Sequence, residues 1–360
     1  MCEHEQRRNP VHCIVPPFMA ERLTQSGNKK VREAALRSLQ ASSHIRAFRS
    51  LAGAMPRALT PYAGAAPTKA KVRREIYDQG SQEPAEFDGF LPGKLIRSEG
   101  DPKSGDPAVD EAYNGAGVTW KLYNKVFGRN SIDDAGMTLV SSVHAGKGYD
   151  NAFWNGRQMV YGDGDDIIFR RFTLSLDVIG HELTHGVVQF GSALEYHNEP
   201  GALNEHFADV FGSLVKQYKK KQTAAKADWL IGKEILVPAP TRTALRSMKA
   251  PGTAFQNDPD LGDDPQPKHY ANRYKGSADH GGVHINSGIP NHAFYLAATK
   301  IGGHAWDKAG RVWYKVMHDL LPTSSFADCA AQCRMVAGGL FGASSAEAKA
   351  IDDAWTAVGL

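Results

Sequence analysis

The chain has 360 residues, 42% hydrophobic and 22% charged, a globular composition with room for two cores. Its net charge of +3 hides an asymmetry: residues 1–75 hold 14 Lys/Arg against 5 Asp/Glu, and the remainder 28 against 34. A basic leader on an acidic body suggests an intramolecular partnership. Without aromatic residues interleaved for base stacking, a nucleic-acid partner is not expected, and no apolar run approaches the ~18 residues of a membrane span.

Residues 1–65 read as leader and linker. Met1 to Arg8 are polar, with no hydrophobic signal region, so the expected location is cytoplasmic, or exported without a signal peptide. A short apolar knot, Ile14-Val15-Pro16-Pro17-Phe18-Met19, precedes a helix predicted from about Lys29 to Gln40. The Ala/Pro/Gly-rich stretch from Ala52 to Pro67 reads as a linker, with Arg46, Arg49 and Arg57 as cleavable basic sites. From Val72 to about Arg171, short β-type runs such as Met137–Val143 and Gln158–Tyr161 alternate with turns, interrupted by a helix from about Asp106 to Phe127. A helix from Phe172 to Phe190 follows, then helices over Ala202–Lys219, Asn291–Ile301, Asp307–Leu320, Phe326–Gly338 and Ala346–Val358. Strands first and helices after give an α+β class with two domains, 66–190 and 191–360. The cysteines, Cys2, Cys13, Cys329 and Cys333, make no disulfide framework; Cys329 and Cys333 read as core thiols.

The chemistry centres on His181-Glu182-Leu183-Thr184-His185. On a helix, a spacing of four turns both imidazoles to one face. Two neutral nitrogen donors there can grip zinc and leave room for a third ligand and a water, which the neighbouring Glu182 carboxylate is placed to deprotonate. A half-buried helix with incidental histidines is the bland alternative. Nineteen residues separate His185 from Glu205, room for a turn and a second helix; Asp209 lies one turn further, where it can orient a ligand histidine. On their own, both would read as surface acids.

Five blocks now add up: Asn151-Ala152-Phe153-Trp154-Asn155-Gly156, Gln158 to Asp165, His181 to His185, Gly201 to Glu205, and Gly281 to Gly288. Together they resemble the thermolysin-like metalloproteases, and more closely their short-leader, protealysin-like branch, from about Val72 to Leu360. The resemblance implies a two-domain thermolysin-like fold, β-rich then mainly helical, with the active-site helix at the junction. It implies a zinc endopeptidase with His181, His185 and Glu205 as ligands, Glu182 as general base, and His284 and Tyr196 as oxyanion donors, Asp279 orienting His284. Asn151 and Ala152 correspond to the strand edge that receives an extended substrate. Asn204 and Arg246 correspond to residues on the substrate's primed-side carbonyls. The primed pocket would be lined by Phe169, Val178, Ile231, Ile235 and Leu245, implying cleavage before Leu, Ile, Val or Phe; from periodicity alone these five are core residues.

The sequence departs from the family at thermolysin's two-calcium site: Asp177 and Asp228 match, but Lys216, Leu230 and Lys233 replace the other acids. Two ammonium groups would repel calcium, so the double site is expected to be absent, with lysine–carboxylate pairs in its place or lysines merely solvated. In the leader, Pro16-Pro17-Phe18 matches the branch's Pro-Pro-aromatic propeptide motif. A propeptide acting in cis is therefore expected, anchored by the apolar knot, with His12 or Cys13 as an alternative cap on the metal. The first mature residue is expected between about Arg49 and Ala70. A monomer acting on peptide and protein substrates is expected, with a small protein inhibitor as a further candidate partner. Two other readings stay open: a zinc-containing binding protein with a permanently blocked cleft, and an aminopeptidase.

Overall fold

The structure, a computed structural model, describes residues 12–54, 70–82 and 91–360. The side chains of His12, Arg46 and Arg49, all of Arg57, and most of the span expected to hold the first mature residue lie outside the described residues.

The leader contributes strand β1 (His12–Cys13) and helices α1 (Pro17–Leu23) and α2 (Lys29–Ala54). Pro16 is extended, at φ −63° and ψ 150°, and Pro17 occupies the first turn of α1, where its missing N–H costs nothing. The apolar knot is thus a strand end turning into a helix, and α2 runs well past the Gln40 expected from periodicity.

Strands β2 (Arg74–Asp78), β3 (Lys94–Ser98), β4 (Leu139–Val143), β5 (Ala152–Trp154) and β6 (Met159–Tyr161) follow, with helix α3 (Pro107–Phe127) packed across them. Asp106 caps α3, its carboxylate accepting from the Ala108 amide at 2.8 Å, and Gly128 ends it in a left-handed conformation. The six-stranded sheet has the order β1-β5-β6-β4-β2-β3, so the leader strand forms one border, antiparallel to β5.

A 3-10 turn (Phe172–Leu174) precedes α4 (Leu176–Gln189). The continuous helix predicted from Phe172 is broken at Ser175, whose hydroxyl donates to Asp177 and Glu234. Helix α4 is buried from Asp177 to Val188 and packs closely on α5 (Asn198–Lys220). Gly212 allows the approach: a Cβ there would fall 2.5 Å from the Asp177 carbonyl oxygen. Helix α5 starts before the predicted Ala202 because Pro200 lies in its first turn, where it is tolerated.

A two-stranded ribbon, β7 (Leu230–Ile231) with β8 (Arg246–Ser247), leads into α6 (Ala278–Asn286), α7 (Gly288–Ile301), α8 (Ala309–Asp319), α9 (Phe326–Phe341) and α10 (Ala346–Ala357). Trp313 of α8 stacks on Trp355 of α10, ring planes 4° apart, in the core of this helical half. Cys329 and Cys333 are buried thiols one turn apart on α9. No helix among the described residues is long and apolar enough to cross a membrane.

Candidate active site

His181 and His185 lie one turn apart on α4, fully buried, with their Nε2 atoms 3.0 Å apart. Glu205, on α5, reaches them from the facing helix: its Oε2 is 3.4 Å from His181 Nε2 and its Oε1 3.5 Å from His185 Nε2. Tetrahedral donors about 2.0–2.1 Å from a zinc ion stand about 3.3 Å from one another, so this trio has the spacing the ion requires. Glu205 Oε2 and Glu182 Oε1 are buried without a hydrogen-bond partner, as expected of atoms reserved for a ligand.

Both rings are oriented from behind. His181 Nδ1 meets Asp209 Oδ1 at 2.8 Å, and His185 Nδ1 meets Asn204 Oδ1 at 2.8 Å. Both acceptors take an N–H, which leaves each Nε2 lone pair facing Glu205. Asn204, expected on substrate carbonyls, sits behind the His185 ring here. Its amide is spent on the Leu194 carbonyl at 3.2 Å and its oxygen on His185. Asp209 also receives Arg246 Nε and Nη2 at 2.8 Å each, and Asn291 Nδ2 at 2.8 Å. Burial would raise the Asp209 pKa, but Arg246 and His181 hold it well below the usual carboxylate range.

A hydrogen-bonded chain continues outward. Asn291 Oδ1 meets His206 Nδ1 at 2.8 Å, and Trp313 Nε1 donates to His206 Nε2 at 2.8 Å. An indole N–H can only donate, which fixes His206 as a neutral ring with its proton on Nδ1. Burial pushes the His206 pKa down to about 4, in keeping with that tautomer. Nothing in the sequence singled out His206, Asn291 or Trp313.

Glu182 turns its Oε2 to the Trp154 amide at 3.0 Å, on β5. Burial pushes its carboxyl up to about 8, against the pull of His181. On the opposite side Tyr196 donates to Glu205 Oε1, and its Oη lies 3.1 Å from His284 Nε2. Asp279 takes the other His284 nitrogen at 2.6 Å and the His284 amide at 2.8 Å. It does so from a left-handed turn, Asp279 to Gly282, with φ between 51° and 83°.

The leader lies along this cleft. The Ile14 amide donates to the Ala152 carbonyl at 3.2 Å, and Arg246 Nη1 donates to the Ile14 carbonyl at 3.1 Å. Asn151 brackets Val15, accepting its amide at 3.0 Å and donating to its carbonyl at 3.2 Å. The Cys13 carbonyl stands 3.1 Å from His284 Nε2. A carbonyl only accepts, so with Asp279 on Nδ1 the His284 ring donates from both nitrogens as an imidazolium. Burial would lower the His284 pKa, but Glu205 and Asp279 raise it. Ile14 is fully buried in the main apolar core, to which Phe169, Val178, Ile231, Ile235 and Leu245 also belong. Cys13 packs in a separate cluster with Ala41, Tyr149, Phe153 and Val160. Among the described residues, the cluster with metal-ligand spacing is His181, Glu182 and His185, without Cys13.

Away from the cleft, the Lys216 ammonium sits 2.7 Å from Asp177, 2.9 Å from Asp228 and 2.6 Å from the Leu230 carbonyl.

Known proteins match this chain over most of its length. Residues 67–189 match the family model of the thermolysin metallopeptidase catalytic domain, and residues 192–360 that of its alpha-helical domain. The chain is 46% identical over 313 residues to an extracellular metalloprotease of Pectobacterium carotovorum subsp. carotovorum, covering 87% of this chain and 86% of the relative. It is 48% identical over 293 residues to protease PrtS of Photorhabdus sp. (strain Az29), covering 80% and 76%. The solved precursor of protealysin, a metalloproteinase from Serratia proteamaculans, superposes with a TM-score of 0.85 at 45% identity, covering 97% of this chain and 99% of that one. The chain belongs to the thermolysin metallopeptidase family, in its protealysin-like branch, and is a zinc metalloendopeptidase.

Proposed function

We propose that the chain cleaves internal peptide bonds on the N-terminal side of Leu, Ile, Val or Phe, and that its leader blocks the cleft in cis until removed. The observation that carries this reading is the leader itself: an extended segment paired with β5, with the Ile14 backbone held by the Ala152 carbonyl and Arg246 and its side chain fully buried.

In this reading His181, His185 and Glu205 hold zinc, with Asp209 and Asn204 fixing the two rings. When bound, zinc supplies Lewis acidity, lowering the pKa of a water and polarising the scissile carbonyl. Glu182 takes the proton from the attacking water and hands it to the leaving amine. Tyr196 and His284 donate to the oxygen as negative charge grows on it, and Asp279 keeps His284 protonated and aimed. Asn151, the Ala152 carbonyl and Arg246 hold the substrate backbone extended. Lys216, ion-paired with Asp177 and Asp228, supports a further proposal: its fixed charge replaces the double calcium site.

The test is incubation of the zinc-loaded full-length chain beside a Glu182→Ala version, read by intact mass and a quenched-peptide assay. Loss of the leader in the active chain only, with activity that disappears on zinc chelation and cuts before apolar residues, is the expected result. A leader-free chain that holds zinc but cuts no peptide would overturn the reading in favour of a binding protein.

A further inference from the structure

We propose that the Cys13–Ile14 peptide bond is itself a cleavage site, cut in cis while the leader stays bound, so that the precursor exists as a nicked but still latent form. The inference rests on the proposed catalytic roles above and adds a bond and an order of events to them.

Register carries the argument. Strand β1 runs antiparallel to β5, Cys13 opposite Phe153 and His12 opposite Trp154. Along it, three consecutive residues present their carbonyls to three different partners: Cys13 to His284, Ile14 to Arg246, Val15 to Asn151. Only one of these partners, His284, belongs to the pair proposed to stabilise an oxyanion. The carbonyl seated on it is therefore the electrophile, and the bond that follows, from Cys13 carbon to Ile14 nitrogen, is the one in line for hydrolysis. Glu182 stands on the β5 side of the same strand pair, anchored to the Trp154 amide. The side chains agree, since strand alternation sends neighbours to opposite faces. Ile14 is wholly buried in the main core, which also holds the residues proposed to line the primed pocket, while Cys13 packs in the separate cluster around Phe153.

The step balances without a further reactant. Water adds to the Cys13 carbonyl carbon, the carbon–nitrogen bond breaks, and the water's protons end on the Ile14 amine, leaving a Cys13 carboxylate.

Release does not follow from the cut, because the anchors lie beyond it. Val15 stays bracketed by Asn151. Ser26 donates to Asp260 at 2.5 Å, Ser38 accepts the Asp150 amide at 2.9 Å, and Arg37 donates to the Lys147 carbonyl at 3.2 Å. A new amine held this firmly favours religation and slows escape, so the leader behaves as a slow substrate that remains an inhibitor.

The experiment is intact mass and N-terminal sequencing of the zinc-loaded full-length precursor over time. A species beginning at Ile14, appearing at a rate independent of protein concentration and before peptide activity rises, is expected. An affinity-tagged Glu182→Gln chain mixed into the same tube stays uncut at that bond. Ile14→Asp slows the cut tenfold or more, and Ile14→Leu keeps it. A readout free of turnover accompanies these: in the Glu182→Gln chain, Ile14→Asp exposes the leader to trypsin and Ile14→Leu does not. If the precursor stays intact at Cys13–Ile14 while the trypsin-trimmed enzyme cuts peptides, the inference fails and the proposed function stands. If the trimmed enzyme is silent, both fall.

Discussion

Arg246 grips Asp209 through Nε and Nη2 at 2.8 Å each and turns its remaining nitrogen, Nη1, to the carbonyl of Ile14 at 3.1 Å. One guanidinium thus ties the residue that orients His181 to the backbone lying in the cleft. A lysine cannot keep both contacts, since it lacks the planar fork. Arg246→Lys is expected to lower kcat/KM by about 10–100-fold, the value of one or two lost charge-assisted hydrogen bonds. Leader affinity should fall in parallel. Peptide kinetics of the trimmed mutant, beside the latency of its precursor, check both halves.

The chain Trp313–His206–Asn291–Asp209–His181 predicts an effect far from the cleft. His206→Phe strands the Trp313 N–H and frees Asn291 to turn, loosening Asp209. Groups that orient metal ligands typically contribute 10–100-fold in metal affinity or activity, so a residue two bonds further out should contribute about tenfold. Zinc dissociation measured against a competing chelator, and the absorption bands of the cobalt-substituted protein, should both shift. Unchanged metal binding in a folded His206→Phe chain would reduce the chain of contacts to packing.

Lys216→Met should be costly for stability. It leaves Asp177 buried and without its cation, a loss of about 3–5 kcal/mol for a broken buried pair. Urea unfolding measures it. With zinc kept saturating, a calcium-selective chelator should leave the activity and melting temperature of the unmutated chain unchanged.

His144 joins Asp163 at 2.8 Å and the α3 cap Asp106 at 2.9 Å. The Asp163 hydrogen bond, opposed by burial and reinforced by Asp106, raises its pKa from 6.5 to about 9. A folded-state pKa above the unfolded one contributes stability that is complete below about pH 6.5 and fades as pH rises towards about 9. His144→Gln should flatten that slope, as urea midpoints of the Glu182→Gln chain across this range will record.

Much of this architecture was legible in the sequence, for physical reasons. The i, i+4 histidines announced their helix, and Lys216 was visible as a charge able to pair with the carboxylates of Asp177 and Asp228. Other features had no local signature. Helix α5 is buried along nearly its whole central length, so no amphipathic stripe tells which residues face the histidines. Asn204 and Glu205 are adjacent in sequence, and only the packing of α5 on α4 assigns one to His185 Nδ1 and the other to the Nε2 side. The two-residue strand β1 is too short for alternation to register. The turn from Asp279 to Gly282 ends on two glycines, but the left-handed geometry of Asp279 and His280 has no sequence mark.

The border position of β1 has a consequence during synthesis. Without the leader, the backbone groups of β5 that now pair with it form an open rim, beside the apolar surface that Ile14 now covers. Rims of that kind recruit strands from other molecules as readily as they receive peptides. A chain made from residue 70 onward should therefore accumulate as insoluble aggregate, and co-expressing residues 1–54 as a separate polypeptide should return it to solution.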